Sequence, residues 1–123
     1  MNKLYVIVPA KLAFGEQTAQ TAHGVAAFAV AHTAQFLAWA TPEQRNIVCL
    51  EAPDLETLLA KLQAADIKLA TFRETDMGDA LTAIACEERA ARLLSSLPKA
   101  GRDPLRPTKA APFGYVAIPF DPQ

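Results

Sequence analysis

The stretch from Phe14 to Thr33, FGEQTAQTAHGVAAFAVAHT, runs for twenty residues without a proline and is crowded with alanine. Alanine costs least of all residues in a helix, and only Gly24 argues against continuity, at roughly 1 kcal/mol relative to Ala. The stretch therefore predicts one helix of about five turns. Every side chain from Val25 to Ala31 is apolar, so that half is expected to be covered on more than one side and the helix to be central. Its polar groups, Gln17, Thr18, Gln20, Thr21 and His23, crowd into the first half. Gly15 follows a strand-like run and is expected to turn the backbone sharply, so that the first free N–H groups point back toward the strand end, a position suited to an anion. Gln20 and His23 are three apart and share a face one turn further in.

With 123 residues, 51% apolar and 20% charged, the chain has the composition of one compact domain that buries about two thirds of its unfolded surface. The net charge of −1 gives no global field for nucleic acid, so a polyanion would have to meet a local patch. The amino terminus, MNKLYVIVPAKLAF, is too short an apolar run to span a bilayer and lacks a small-residue cleavage site, so a cytoplasmic protein with no membrane partner is expected. Cys49 and Cys86 lie apart in apolar runs with no CxxC and no nearby histidine, which suggests reduced core thiols rather than a zinc site or a disulfide. No cofactor or metal is implied.

Leu4 to Val8 (LYVIV) suits a strand covered on both faces. Gln35 to Ala40 reads as a short helical continuation carrying Trp39, which is expected to anchor the helix end. Thr41 and Pro42 resemble a helix start of a turn or two. Asn46 to Glu51 is a second buried strand, and Asp54 caps a helix with Leu55, Leu58, Leu59 and Leu62 in a stripe. Ile67 to Phe72 and Ala80 to Cys86 read as strands joined by so short a turn that they must be antiparallel. Glu87 to Leu97 reads as a last helix stopped by Pro98. The order β-α-β-α-β-β-α, with right-handed crossovers, gives an α/β fold with a mixed four-stranded sheet. Three strands run parallel and the fourth is reversed, with helices packed on the sheet in two or three layers.

This topology gathers Lys11, Glu16, Gln20, His23, Arg73, Glu74, Asp76, Asp79 and Thr82 at the edge of the sheet where open α/β sheets bind ligands. Several also have a plain structural use: Asp76 and Asp79 as turn residues that bond their own backbone, Gln20 and Thr82 as packing or capping groups, His23 as a hydrogen-bonded structural residue, Arg73 with Glu74 as an exposed strand-end pair. Six of the nine prolines follow Leu97, so residues 98–123 form an extension distinct from the α/β domain of residues 1–97. Its basic part, with Arg102, Arg106 and Lys109, is linker-like. Phe113 to Phe120 (FGYVAIPF) is apolar enough to dock on the domain or on a neighbour as a strap.

The short first strand, then GEQTAQTAHGVAAF (Gly15 to Phe28), then FRETDMGDALTAIA (Phe72 to Ala85) resemble the class II peptidyl-tRNA hydrolases, the archaeal and eukaryotic type, and within them a branch of small bacterial and phage relatives. The resemblance spans residues 3 to 97. The family's helix opens with Gly-Lys-x-Ala-Ala-Gln-x-x-His-Ala. Gly15, Gln20 and His23 match in place, Ala19 and Ala22 are the small residues between, and Glu16 stands where the family has lysine. The arginine and aspartate usual after the first strand fall on Pro9 and Lys11. Asp76 with Gly78 corresponds to the family's Asp-x-Gly-x-Thr turn, and Thr82 to the threonine of the following strand.

The resemblance implies a peptidyl-tRNA hydrolase II-like fold and hydrolysis of the ester between peptide and tRNA. It puts His23, Gln20, Asp76 and Thr82 in catalytic roles, with Lys11, Gly15, Glu16 and Arg73 meeting substrate. His23 would be the base, Asp76 or Asp79 its orienting group, and Gln20 with helix N–H groups the oxyanion donors. Lys11, Arg73 or the basic tail would meet phosphate. A carboxylate at Glu16 repels phosphate from the same N–H groups, which keeps a second reading open: a catalytically inactive member of the fold that binds tRNA, a nucleotide or a protein. A homodimer is expected from the helix being apolar nearly all round.

Overall fold

The computed structural model describes residues 1–101, and within them the order of elements follows the hydropathy pattern. Strand β1 (Lys3–Pro9) leads into helix α1 (Phe14–Ala31), followed by α2 (Thr33–Trp39), β2 (Asn46–Ala52), α3 (Leu55–Ala64), β3 (Leu69–Glu74), β4 (Ala80–Cys86) and a single helical turn, α4 (Ala91–Leu94). One sheet results, in the order β2-β1-β4-β3. β1 and β2 pair in parallel, and β4 runs antiparallel to both β1 and β3, so β1, β2 and β3 point one way and β4 the other. Only one hydrogen-bonded pair is parallel, because β4 is inserted between β1 and β3.

The sheet is covered on both faces, which is why β1 and β4 are nearly continuous apolar runs. On one face Ile7, Leu50, Leu81 and Ile84 pack with Leu55, Leu58 and Leu62 of α3 and Leu94 of α4. On the other, Leu4, Val6, Val8, Ala70 and Ala85 pack with Phe28 and Trp39. Helix α3 begins where Asp54 accepts a hydrogen bond from Thr57 N (3.1 Å) and another from the Thr57 hydroxyl, satisfying a backbone donor that the first turn would otherwise leave orphaned. Those bonds hold the Asp54 carboxyl below its ordinary range. Gly24 has a packing reason: a Cβ there would sit 3.0 Å from Val6 Cγ1 and 3.1 Å from Ala83 Cβ. Glycine lets α1 press onto the sheet.

Several expectations need correction. Among the described residues, the apolar second half of α1 is covered on one side only, with Val30 82% exposed. Its alanines serve helix propensity more than burial. Gly15 lies inside α1 and the chain reverses before it, between Ala10 and Ala13. Thr41 and Pro42 form a bend and turn and start no helix. Strand β3 begins two residues later than Ile67, because Lys68 is held in a loop by its N–H donating to the buried Glu87 carboxylate at 2.7 Å. The last helix is reduced to a 3₁₀ turn, Glu88–Ala90, followed by α4. His32 joins α1 to β3, its Nε2–H donating to Leu69 O at 2.9 Å. No helix among the described residues is long and apolar enough to cross a membrane. Residues 98–100 lie antiparallel along the outer edge of β2, with Glu51 N donating to Pro98 O and Ala100 N to Cys49 O, both at 3.0 Å. The remainder of the extension, with Arg102, Arg106, Lys109 and the Phe113–Phe120 segment, is outside the described residues.

Candidate functional site

The first half of α1 crosses the ends of β3 and β4, and its polar residues meet theirs. Gln20 is only 4% exposed and Thr82 2%. The Thr82 hydroxyl donates to Gln20 Oε1 at 2.6 Å, and Gln20 Nε2 donates to Glu74 Oε2 at 3.1 Å. Leaving a buried amide or hydroxyl unpaired costs about 1–3 kcal/mol, so this chain of bonds is the condition on which the three side chains can share the interior. It also fixes the Glu74 carboxylate, half-buried at the end of β3.

Thr82 reaches Gln20 because of a β-bulge. Phe72 pairs with Ala83 but Arg73 pairs with Leu81, so Thr82 is the extra residue on β4. Leu81 belongs to the α3 side of the sheet and Ala85 to the α1 side. Counted back from Ala85 by strict alternation, Thr82 would face α3, and the bulge turns it to α1 instead. Bulges re-aim side chains in this way beside functional sites.

His23 is exposed and stacks on Phe72 of β3, ring centroids 4.2 Å apart and planes inclined by 10°. Stacking engages a face of the imidazole, while both nitrogens lie at the ring edge. Asp76 is exposed in the 3₁₀ turn Thr75–Met77, its N–H 3.5 Å from Glu74 Oε1. The turn closes with Gly78 and Asp79 at φ of 66° and 61° and with Asp79 N donating to Glu74 O. Asp79 therefore has a backbone role there, in a left-handed conformation that Asp tolerates better than most residues.

Of the residues expected to meet substrate, Lys11, Gly15 and Glu16 lie around the start of α1 and Arg73 stands apart. Arg73 lies on the opposite face of β3 from Phe72 and Glu74, where its guanidinium makes a two-pronged pair with Glu56 of α3 at 2.9 and 3.1 Å. That bond holds the Glu56 carboxyl below its ordinary range and raises the guanidinium. Glu16 folds back on its own helix, Oε1 accepting from Ala13 N at 3.2 Å, as an acid at the third helical position does in a capping arrangement. Gly15 is exposed in the first turn of α1, and Lys11 is exposed in the β1–α1 connection at the same end of the sheet.

Two further features were not singled out from sequence. Phe72 read as a strand residue and proves to be the platform for His23. A second buried polar group joins the other flank of α1 to the end of β2: Gln17 Nε2 donates to Pro9 O (3.1 Å) and to Glu51 Oε1 (3.2 Å), and Gln17 Oε1 accepts from Gly101 N (2.9 Å). Glu51 is 2% exposed. Nothing local marks it, since an acid at the end of an apolar strand looks like a strand end. Among the described residues no cluster of three or more His, Cys, Asp or Glu is placed to hold a metal. No family model and no curated protein matches the sequence.

Proposed function

We propose that the chain is a peptidyl-tRNA hydrolase-like esterase that cleaves the bond between a peptide and the ribose of tRNA. The observation that carries this is the buried Gln20 amide tied to Thr82 and Glu74 beside a solvent-facing, stacked His23. Hydrolysis needs a base that reaches water and a rigid support beneath it. In this reading His23 removes a proton from water, the water oxygen attacks the ester carbonyl carbon, and the ribose oxygen leaves and is protonated. The products are a peptide carboxylate and a tRNA hydroxyl. Glu74 and Asp76 face the same water-accessible edge. Gln20 and Thr82, being buried, act as positioning residues. The order of motif residues along α1 and β4 that resembles the class II hydrolases supports the same assignment. Among the described residues Lys11 is an exposed cation at this end of the sheet that would meet phosphate.

Glu16 and Arg73 favour a second reading, a non-catalytic member of the fold that binds tRNA, a nucleotide or a protein. The first places negative charge where the family has lysine, and the second is engaged by Glu56 on the far face. Release of the acyl group from N-acetyl-aminoacyl-tRNA by the purified chain, compared with His23→Ala and Glu16→Lys, decides between them. Release by the wild-type chain that is lost in His23→Ala supports the esterase. Release that arises only in Glu16→Lys supports the second reading.

A further inference from the structure

Helix α1 packs chiefly on β3, β4 and β1. It is displaced from β2, the strand at the other edge, and the space left over that strand is a groove of about 600 Å³. Thr21 and Val25 of α1, Phe36 of α2, and Ile47 and Cys49 of β2 line it, with Phe14 and Gly101 at one end. Phe14 and Ile47 are nearly half exposed. Among the described residues the walls carry no charged side chain, so the groove suits apolar side chains rather than a phosphate or a sugar.

The geometry points to one occupant: the chain's own segment Phe113 to Phe120, FGYVAIPF, which we propose seats its apolar side chains in this groove. Four observations converge on it. The chain is delivered to the groove, because Pro98 and Ala100 are hydrogen-bonded to the outer edge of β2 and Gly101 N to Gln17. Ala100 and Gly101 themselves form part of the lining.

The distance also fits. Eleven residues, Arg102 to Pro112, separate the anchored Gly101 from Phe113. A flexible chain of that length spans roughly 18 Å, and an extended polyproline-like one roughly 34 Å. The groove follows α1 from Phe14 to Ala26, roughly 18 Å at the rise of a helix. The intervening piece, with Pro104, Pro107 and Pro112, is therefore long enough to place the segment at any point along it.

Composition supplies the third argument. Phe113, Tyr115, Val116, Ile118 and Phe120 fall within eight residues that carry no charge, whereas the piece before them is basic and polar. A pocket of 300–1,000 Å³ accepts a ligand of drug size, so a groove of about 600 Å³ takes several of these side chains. The fourth is tethering, which raises the segment's effective concentration to about the millimolar range, well above that of a separate partner in dilute solution.

Cys49 in the groove wall and Cys86 in the core turn this into an experiment on the full chain. Cys86 is fully buried, and burial pushes its thiol up to about 12, so it reports whether the core is intact. Iodoacetamide labelling at each cysteine is followed by mass spectrometry for the wild-type chain and for Phe113→Ser/Tyr115→Ser/Ile118→Ser. Labelling at Cys49 about tenfold faster in the variant, with Cys86 protected in both, is expected if the docked state is populated about nine-tenths of the time. Equal rates at Cys49, or protection that fades when the protein is diluted, as docking of a second copy would produce, overturn the proposal.

A second measurement does not depend on that variant folding. A full chain with Tyr115→p-benzoylphenylalanine is irradiated at micromolar concentration and its cross-links are mapped. Intrachain cross-links to residues 14–26, 36 or 47–49 are expected. Cross-links confined to other segments, or made between chains, overturn the proposal.

Discussion

The two flanks of α1 solve opposite problems with the same helix. Over β4 and β3 the helix is pressed close, with Gly24 against Val6 and Ala83, and the polar groups this brings inside are paired in series: Thr82 to Gln20, Gln20 to Glu74. Over β2 it stands off, and Val25 of the helix and Ile47 of the strand lie on opposite walls of the groove. The close flank buys rigidity beneath an exposed histidine. The open flank leaves an apolar surface beside the point where the chain returns along β2. A helix that leans toward one edge of a sheet thus makes a fixed polar site on one side and an apolar groove on the other.

The comparison is broken most severely by filling the close contact. Gly24→Val adds three carbons where even a Cβ meets neighbours at 3.0 and 3.1 Å, and overpacking of this kind costs about 1–3 kcal/mol. The Ala83 Cβ is fixed to a strand backbone and cannot move aside. Thermal unfolding followed by circular dichroism should show the midpoint falling by about 10 °C.

Thr82→Val is expected to cost about 1–3 kcal/mol in the same assay, because it keeps the shape but leaves the buried Gln20 carbonyl without its donor. A cost near zero would mean that the bulge, rather than the hydrogen bond, holds Gln20. On the open flank Ile47→Ser should cost about 1 kcal/mol, at the low end of the range for the close flank, because only about half of the side chain is buried against the domain.

Smallest of all should be Glu56→Gln, which removes the partner of Arg73 on the far face. The Glu56 carboxyl is held below its ordinary value when folded. Its contribution is therefore present above the unfolded carboxylate value, about 4.3, and is lost as pH falls through the lowered folded value. The wild-type chain and Glu56→Gln should differ slightly in melting temperature at pH 7 and converge in acid. Both side chains are largely exposed, which keeps the difference small.

Local signals carried much of the fold. β4 falls on Ala80–Cys86 as its apolar run indicates, β1 and β2 extend by one or two residues, and α3 starts behind the Asp54 cap. Long-range contacts decided the rest. The start of β3 depends on Glu87, far along the chain, clamping Lys68. The insertion of β4 between β1 and β3 cannot be read from any single segment, yet it decides which strand α1 leaves uncovered. In the candidate site, the topology places Gln20 and Thr82 at one edge of the sheet, but their hydrogen bond depends on the bulge at Thr82, which no local pattern marks. The opposite orientation of Arg73 follows from strand alternation: Phe72 and Glu74 face α1, so Arg73 faces α3. The burial of Gln17 and Glu51 has no local signature, since each is buried only because α1, β1, β2 and residue 101 converge there.

Release of the acyl group from N-acetyl-aminoacyl-tRNA, measured side by side for the wild-type chain, His23→Ala and Ile47→Ser, tests most directly whether the close flank is the working one. Loss of the base is expected to lower kcat/KM by about 10²–10⁴-fold, while Ile47→Ser retains the wild-type rate. Equal activity in the wild-type chain and His23→Ala, or a loss confined to Ile47→Ser, would contradict the assignment of chemistry to the Gln20–Thr82–Glu74 edge.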